Sequence, residues 1–218
     1  MDTKNKLGEI FSVDVETGAI VKVSDMGDEQ FSFFLSPKAS PSGRYLAWLG
    51  YRWSEQHTYR LNRLWVKDLQ SGVTRLIAPQ FEVEIDPNAF FWSKDDSSIF
   101  ASGPTEGYRK IFKLGMDDAV EILTPVGVEQ KILDFDREAS RLVILQSTPN
   151  RLEEIVVLDD EGVVLDNEVT PQVRGFLDQV VLPRSFDIEW SSSDGVDHRG
   201  VLFLPSCTQD EHSVPLIV

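Results

Sequence analysis

One pattern recurs along this chain. "LWVKDLQSGVTRLI", Leu64 to Ile77, reads strand, turn, strand. Side chains alternate through Trp65 and Lys67, the chain turns at Ser71-Gly72, and alternation resumes at Val73, Arg75 and Ile77. Glycine takes a positive φ without steric cost, so Ser-Gly between alternating runs predicts a hairpin. "IFSVDVETGAIVKV" from Ile10 follows the same plan, with Thr17-Gly18 at the turn. So do "IFKLGMDDAVEIL" from Ile111, turning at Asp117-Asp118, and "IVVLDDEGVVL" from Ile155, turning at Glu161-Gly162. Missing such a repeat would mis-assign the whole fold.

A second element precedes three of these hairpins. "SPSGRYLAWLGY" from Ser40 has a turn at Ser42-Gly43 and then an apolar strand. "WSKDDSSIFASG" from Trp92 is its counterpart, turning at Asp95-Asp96, and "FDREASRLVILQS" from Phe135 is a third. The unit is a strand, a linker and a strand pair, with a further short strand expected. A period of ~40–50 residues with about four strands per unit is the signature of a β-propeller blade. One small antiparallel sheet cannot bury both faces alone, so neighbouring sheets must stack. The expected core is Tyr45, Ala47, Trp48, Trp65, Phe100, Ile111, Phe112, Leu142, Ile144, Val156 and Val157. Pro171 and Gly175 argue against one continuous helix in Asn167 to Pro183, and no amphipathic helix of ~12 residues is legible elsewhere. Three complete units and a leading half unit predict an arc rather than a closed ring of 4–8 blades.

Charge excludes some functions. The formal net charge is -15, with 36 acidic and 21 basic residues, which opposes docking on nucleic acid or on an anionic membrane. The single cysteine, Cys207, rules out an internal disulfide, and no apolar run approaches the ~18 residues that span a bilayer. These features lead to the expectation of a soluble, cytoplasmic chain.

Chemistry-bearing motifs are sparse. The sequence has no G-x-S-x-G nucleophile elbow, no Gly-rich oxyanion loop, and no P-loop or dinucleotide fingerprint. His57, His198 and His212 show no metal-ligand spacing with Cys207, so neither metal nor cofactor is expected. His198 and His212 read as solvated surface residues, and Cys207 has no nearby base to activate it. "YRWSEQHTYRLNR", Tyr51 to Arg63, is the one markedly basic-aromatic stretch. Its Arg52, Trp53, Tyr59 and Arg60 are the candidate residues for reading or gating a peptide or carboxylate. The plainer reading is a long inter-strand loop whose arginines offset the acidic surface. Glu153-Glu154 reads as edge solubilisation, because neighbours on a strand face opposite ways.

"SPSGRYLAWL" followed by "LWVKDLQSGVTRLI" resembles the repeat shared by TolB-type propellers and by the propeller domain of the prolyl oligopeptidase family of serine peptidases. The final stretch, "FDIEWSSSDGVDHRGVLFLPSCTQDEHSVPLIV", is similar to the hydrolase-domain entry of the acylaminoacyl-peptidase and dipeptidyl-peptidase branches. There a strand, here Phe186 to Ser191, leads to an S-x-D-G turn at Ser192, Asp194 and Gly195. A second strand carries Gly200, Leu202 and Pro205, and Pro215 to Val218 match a following P-L-[IL]-V. The sequence departs from the repeat at Ser42, where aspartate is usual, and at Lys94-Asp95-Asp96, where the glycine is lost.

The resemblance implies an all-β partial propeller of four-stranded antiparallel blades over 1–180. The first strands of an α/β-hydrolase domain would follow over 181–218. It implies a parent enzyme that cleaves short peptides by Ser-Asp-His catalysis, with the propeller limiting access. No catalytic residue maps onto this sequence, so the chain is expected to be a truncated, inactive part of that parent. Its expected partners are a peptide substrate in the full-length parent or a complementing hydrolase domain, and neither nucleic acid nor membrane. The competing reading is a stand-alone TolB-like propeller module that binds a protein partner.

Overall fold

A computed structural model describes residues 9–24, 35–51, 61–166, 175 and 179–206. Sixteen strands form among them, and every pairing is antiparallel. A two-stranded sheet of β1 (Phe11–Val13) and β2 (Ile20–Lys22) comes first. The first four-stranded sheet comprises β3 (Leu35–Ala39), β4 (Tyr45–Gly50), β5 (Arg63–Asp68) and β6 (Thr74–Leu76). The second comprises β7 (Phe90–Trp92), β8 (Ser98–Thr105), β9 (Tyr108–Gly115) and β10 (Val120–Ile122). The third comprises β11 (Glu129–Asp136), β12 (Arg141–Thr148), β13 (Arg151–Asp159) and β14 (Val164–Asp166). A ribbon of β15 (Arg184–Ser191) and β16 (Asp197–Leu204) follows. Each four-stranded sheet pairs its strands in chain order, as a propeller blade does.

Period-two alternation sends the two faces of the first and second four-stranded sheets into different cores. In blade 1, Ala47, Leu49, Leu64 and Val66 pack with Phe90, Trp92, Ile99, Ala101, Phe112 and Leu114 of blade 2. The opposite face, Trp48 and Trp65, packs with Ile10 beside the first hairpin. Blade 2 turns its other face, Phe100 and Ile111, to Ile132, Leu142, Ile144, Val156 and Leu158 of blade 3. Burying each of the valine, leucine, isoleucine and phenylalanine side chains is worth about 1.5–3 kcal/mol, so neighbouring sheets supply the stability that one sheet lacks. Tyr45 and Val157 depart from the expected core, since both are only half-buried.

The predicted hairpin turns are present. Gly43, Gly72 and Gly162 sit at positive φ, the backbone state for which glycine suits these turns. A preceding aspartate completes several of them. Asp14 accepts from the amides of Glu16 and Thr17, Asp68 from those of Gln70 and Ser71, and Asp159 from those of Glu161 and Val163. The Arg44 guanidinium and these amides hold the Asp68 carboxyl down to about 2.

Blade 2 lacks both hairpin glycines and has Asp96 and Asp118 in their places, each at positive φ. The loss of glycine is expected to weaken this repeat, but here it ties blades together. Asp96 accepts from Ser40 Oγ at 2.7 Å and from Ser42 Oγ, both in the first-turn motif of blade 1. Asp118 accepts from Arg75 Nη1 at 2.7 Å and from the Ala78 amide at 3.0 Å. Asp95 fills the place where blade 1 has Ser42, and the Ser97 hydroxyl and amide and the Ser93 hydroxyl hold its carboxyl down to about 2.

Glu154 also differs from expectation. Glu153 is exposed, but Glu154 is only 5% exposed and lies in the interface between blades 2 and 3. It continues a transverse row, Gln130 opposite Gln146 and Gln146 opposite Glu154. Gln130 Nε2 donates to Gln146 Oε1 at 2.7 Å, and Arg151 Nη1 lies 4.0 Å from Glu154 Oε1. Edge solubilisation therefore describes Glu153 alone.

Candidate functional site at the ribbon and the blade ends

Strand register gives the β15–β16 ribbon one mostly apolar face, with Phe186, Ile188, Trp190, Leu202 and Leu204 beside Arg184 and His198, and one mostly polar face, with Ser185, Asp187, Glu189, Asp197 and Arg199 beside Val201 and Phe203. The apolar face is open: Phe186 is 45% and Trp190 49% exposed, and no ribbon residue belongs to any of the three buried clusters.

The polar face meets the turn between β8 and β9. Tyr108 Oη donates to Asp187 Oδ1 at 2.5 Å. Burial, and then the Asp187 carboxylate, push the Tyr108 phenol up to about 12. Arg199 bridges two acids, with Nη1 2.9 Å from Glu106 Oε1 and Nε 2.9 Å from Glu189 Oε1. Lys110, buried, also pairs with Glu106, and Lys110 and Arg199 hold the Glu106 carboxyl below its usual value. The Asn150 side-chain amide, at the turn between β12 and β13, spans Ser185 Oγ at 3.1 Å and the Pro183 carbonyl at 2.7 Å. Two clefts flank these contacts. One, of about 560 Å³, is lined by Gly107, Trp190, Asp197 and His198 among others, and the second, of about 230 Å³, by Tyr108, Lys110, Gly127 and Val201 among others.

The ribbon turn brings a serine, a histidine and an aspartate together, yet not as a catalytic triad. His198 Nε2 lies 3.1 Å from Ser192 Oγ. Asp194 accepts from that same hydroxyl rather than orienting the histidine. The serine proton is thus directed to Asp194, whereas a nucleophile must give its proton to a base that a third group holds. His198 is exposed as expected, and it stacks on Trp190 at 5.5 Å between ring centroids.

Arg52, Trp53, Tyr59 and Arg60 lie outside the described residues, as do His57, Cys207 and His212. A cavity of about 660 Å³ is lined by Tyr51, Leu61, Arg63, Trp65, Pro79 and Glu82 among others. Arg63 donates from Nη2 to the carbonyls of Ala78 and Pro79, and burial pushes its pKa down. Among the described residues no cluster of histidine, cysteine and carboxylate side chains could hold a metal ion, and no helix is long and apolar enough to cross a membrane. Sequence reasoning missed Tyr108, Glu106 and Asp187. Their local pattern is that of any polar hairpin turn or strand, and only the folded chain brings residues ~80 apart into contact.

No protein-family model and no curated protein matches this sequence. Solved structures do match its fold. The chain is similar to Pyrococcus horikoshii acylaminoacyl peptidase, at 17% identity and a TM-score of 0.64, covering 94% of this chain and 29% of that one. It is similar to Porphyromonas gingivalis dipeptidyl peptidase 4, at 10% identity and a TM-score of 0.60, covering 91% and 28%. It is also similar to TolB from Acinetobacter baumannii, at 14% identity and a TM-score of 0.54, covering 75% and 38%. The fold is a propeller-type arrangement of four-stranded antiparallel blades. The chain spans well under half the length of each of these proteins.

Proposed function

We propose that this polypeptide is the non-catalytic propeller part of a prolyl-oligopeptidase-family serine peptidase, in which the blades restrict which peptides reach a catalytic layer. On this reading the β15–β16 ribbon opens the hydrolase domain. The observation that supports it is the ribbon itself: a long hairpin after the last blade that meets the blades through polar contacts and leaves Phe186 and Trp190 open on its other face, as the edge of a covered α/β layer would. The acylaminoacyl peptidase match, at 94% of the chain, leaves too few residues outside it to omit the ribbon, whereas the TolB match, at 75%, has room to.

The polypeptide by itself has neither a nucleophile elbow nor an oxyanion loop in its sequence, so the reading implies no turnover. The test is an assay of the purified chain on aminoacyl and acylaminoacyl anilides and on simple esters, with Ser192→Ala alongside. Both proteins should match the buffer rate. Turnover by the wild type that Ser192→Ala abolishes would overturn the proposal and make the ribbon turn a catalytic site.

A further inference from the structure

The polar face of the ribbon carries a second inference, which stands whether or not the peptidase reading holds. Among the described residues, ribbon and blades share no buried apolar cluster. What joins them is polar: Tyr108 to Asp187, Glu106 to Arg199, and Asn150 to Ser185 and Pro183. Each blade is instead seated on the next by an apolar core, which polar substitutions at its rim do not dissolve. The charges at the ribbon contact are also out of balance. Three carboxylates, Glu106, Asp187 and Glu189, are drawn together by two cations, Lys110 and Arg199. Without Arg199 the acids of the turn and of the ribbon repel across a half-open contact, because screening is incomplete at such distances. The clefts of about 560 and 230 Å³ on either side leave the ribbon room to move.

We propose that the β15–β16 ribbon is a latched strap, held against the β8–β9 turn by the Tyr108–Asp187 hydrogen bond and the Glu106–Arg199 ion pair. Breaking these two contacts swings the strap away as a unit and joins the flanking clefts into one opening. Undocking leaves the hairpin pairing of the ribbon and the blade cores intact, as in a hinge motion between rigid bodies.

The test measures a distance between spin labels on cysteines placed at Val196, in the ribbon turn, and at Glu121, on β10, with Cys207→Ser removing the natural thiol. At low salt the latched chain should give one narrow distance distribution. The double variant Tyr108→Phe, Arg199→Gln should add a second, longer population while its far-ultraviolet circular dichroism stays unchanged. Raising the salt concentration on the unsubstituted latch should shift the distribution the same way. If the folded double variant keeps the narrow distribution, the latch does not exist. Should that variant fail to fold, an unchanged distribution across the salt series overturns the proposal instead.

Discussion

At the scale of single residues, Asp96 shows how one position serves turn geometry and blade docking together. Its φ of 62° is one that glycine tolerates and that costs a residue bearing a Cβ, while its carboxylate bonds Ser40 and Ser42. The two effects separate by substitution. Asp96→Gly loses the hydrogen bonds but relaxes the backbone, and Asp96→Ala loses the bonds and keeps the strain. Asp96→Ala should therefore be less stable than Asp96→Gly by about 1 kcal/mol, read from urea unfolding curves of the two variants. Equal stabilities would mean that the turn backbone adapts and stores no strain. The sequence shows this aspartate as a departure from the repeat. It does not show what the side chain reaches, since Ser40 and Asp96 lie in different sheets and only stacking brings them together.

At the scale of elements, strands and hairpins were the legible part. Alternation and turn residues locate the hairpins at Ile10, Leu64, Ile111 and Ile155, and the structure pairs strands at each of them. The short third-sheet and second-sheet edge strands, β14 and β10, follow from the same hairpins. Less legible was how linkers cross sheets. The segment joining blades 1 and 2 passes so close to β8 that a Cβ at Gly103 would lie 2.0 Å from the Glu84 carbonyl oxygen. Backbone cannot yield there as a flexible side-chain tip would. Gly103→Ala should destabilise the chain by about 1–3 kcal/mol, the usual cost of overpacking, and should speed hydrogen exchange at Ile85 and Asp86. Those amides donate to Asn62 and Ser102 and pin the linker in place. Wild-type stability in Gly103→Ala would show that the linker does not run against the strand.

At the scale of the whole molecule, the sequence period anticipates sheets that stack in chain order, and the three buried clusters follow that order. The candidate site was less accessible to sequence reasoning. The basic-aromatic stretch drew notice because its composition is unusual, whereas Glu106, Tyr108, Asp187 and Arg199 are ordinary residues until two distant hairpins meet. Sheet stacking is also the premise of both functional inferences, because it places the ribbon beside blade 2. Methyl cross-relaxation in protein labelled at Ile, Leu and Val reports the stacking directly. Stacking in chain order requires cross-peaks joining Leu64 and Val66 to Ile99 and Leu114, and joining Ile111 to Ile144 and Val156. Cross-peaks joining Leu64 or Val66 to Ile144 or Val156 would place blades 1 and 3 in one core and contradict it.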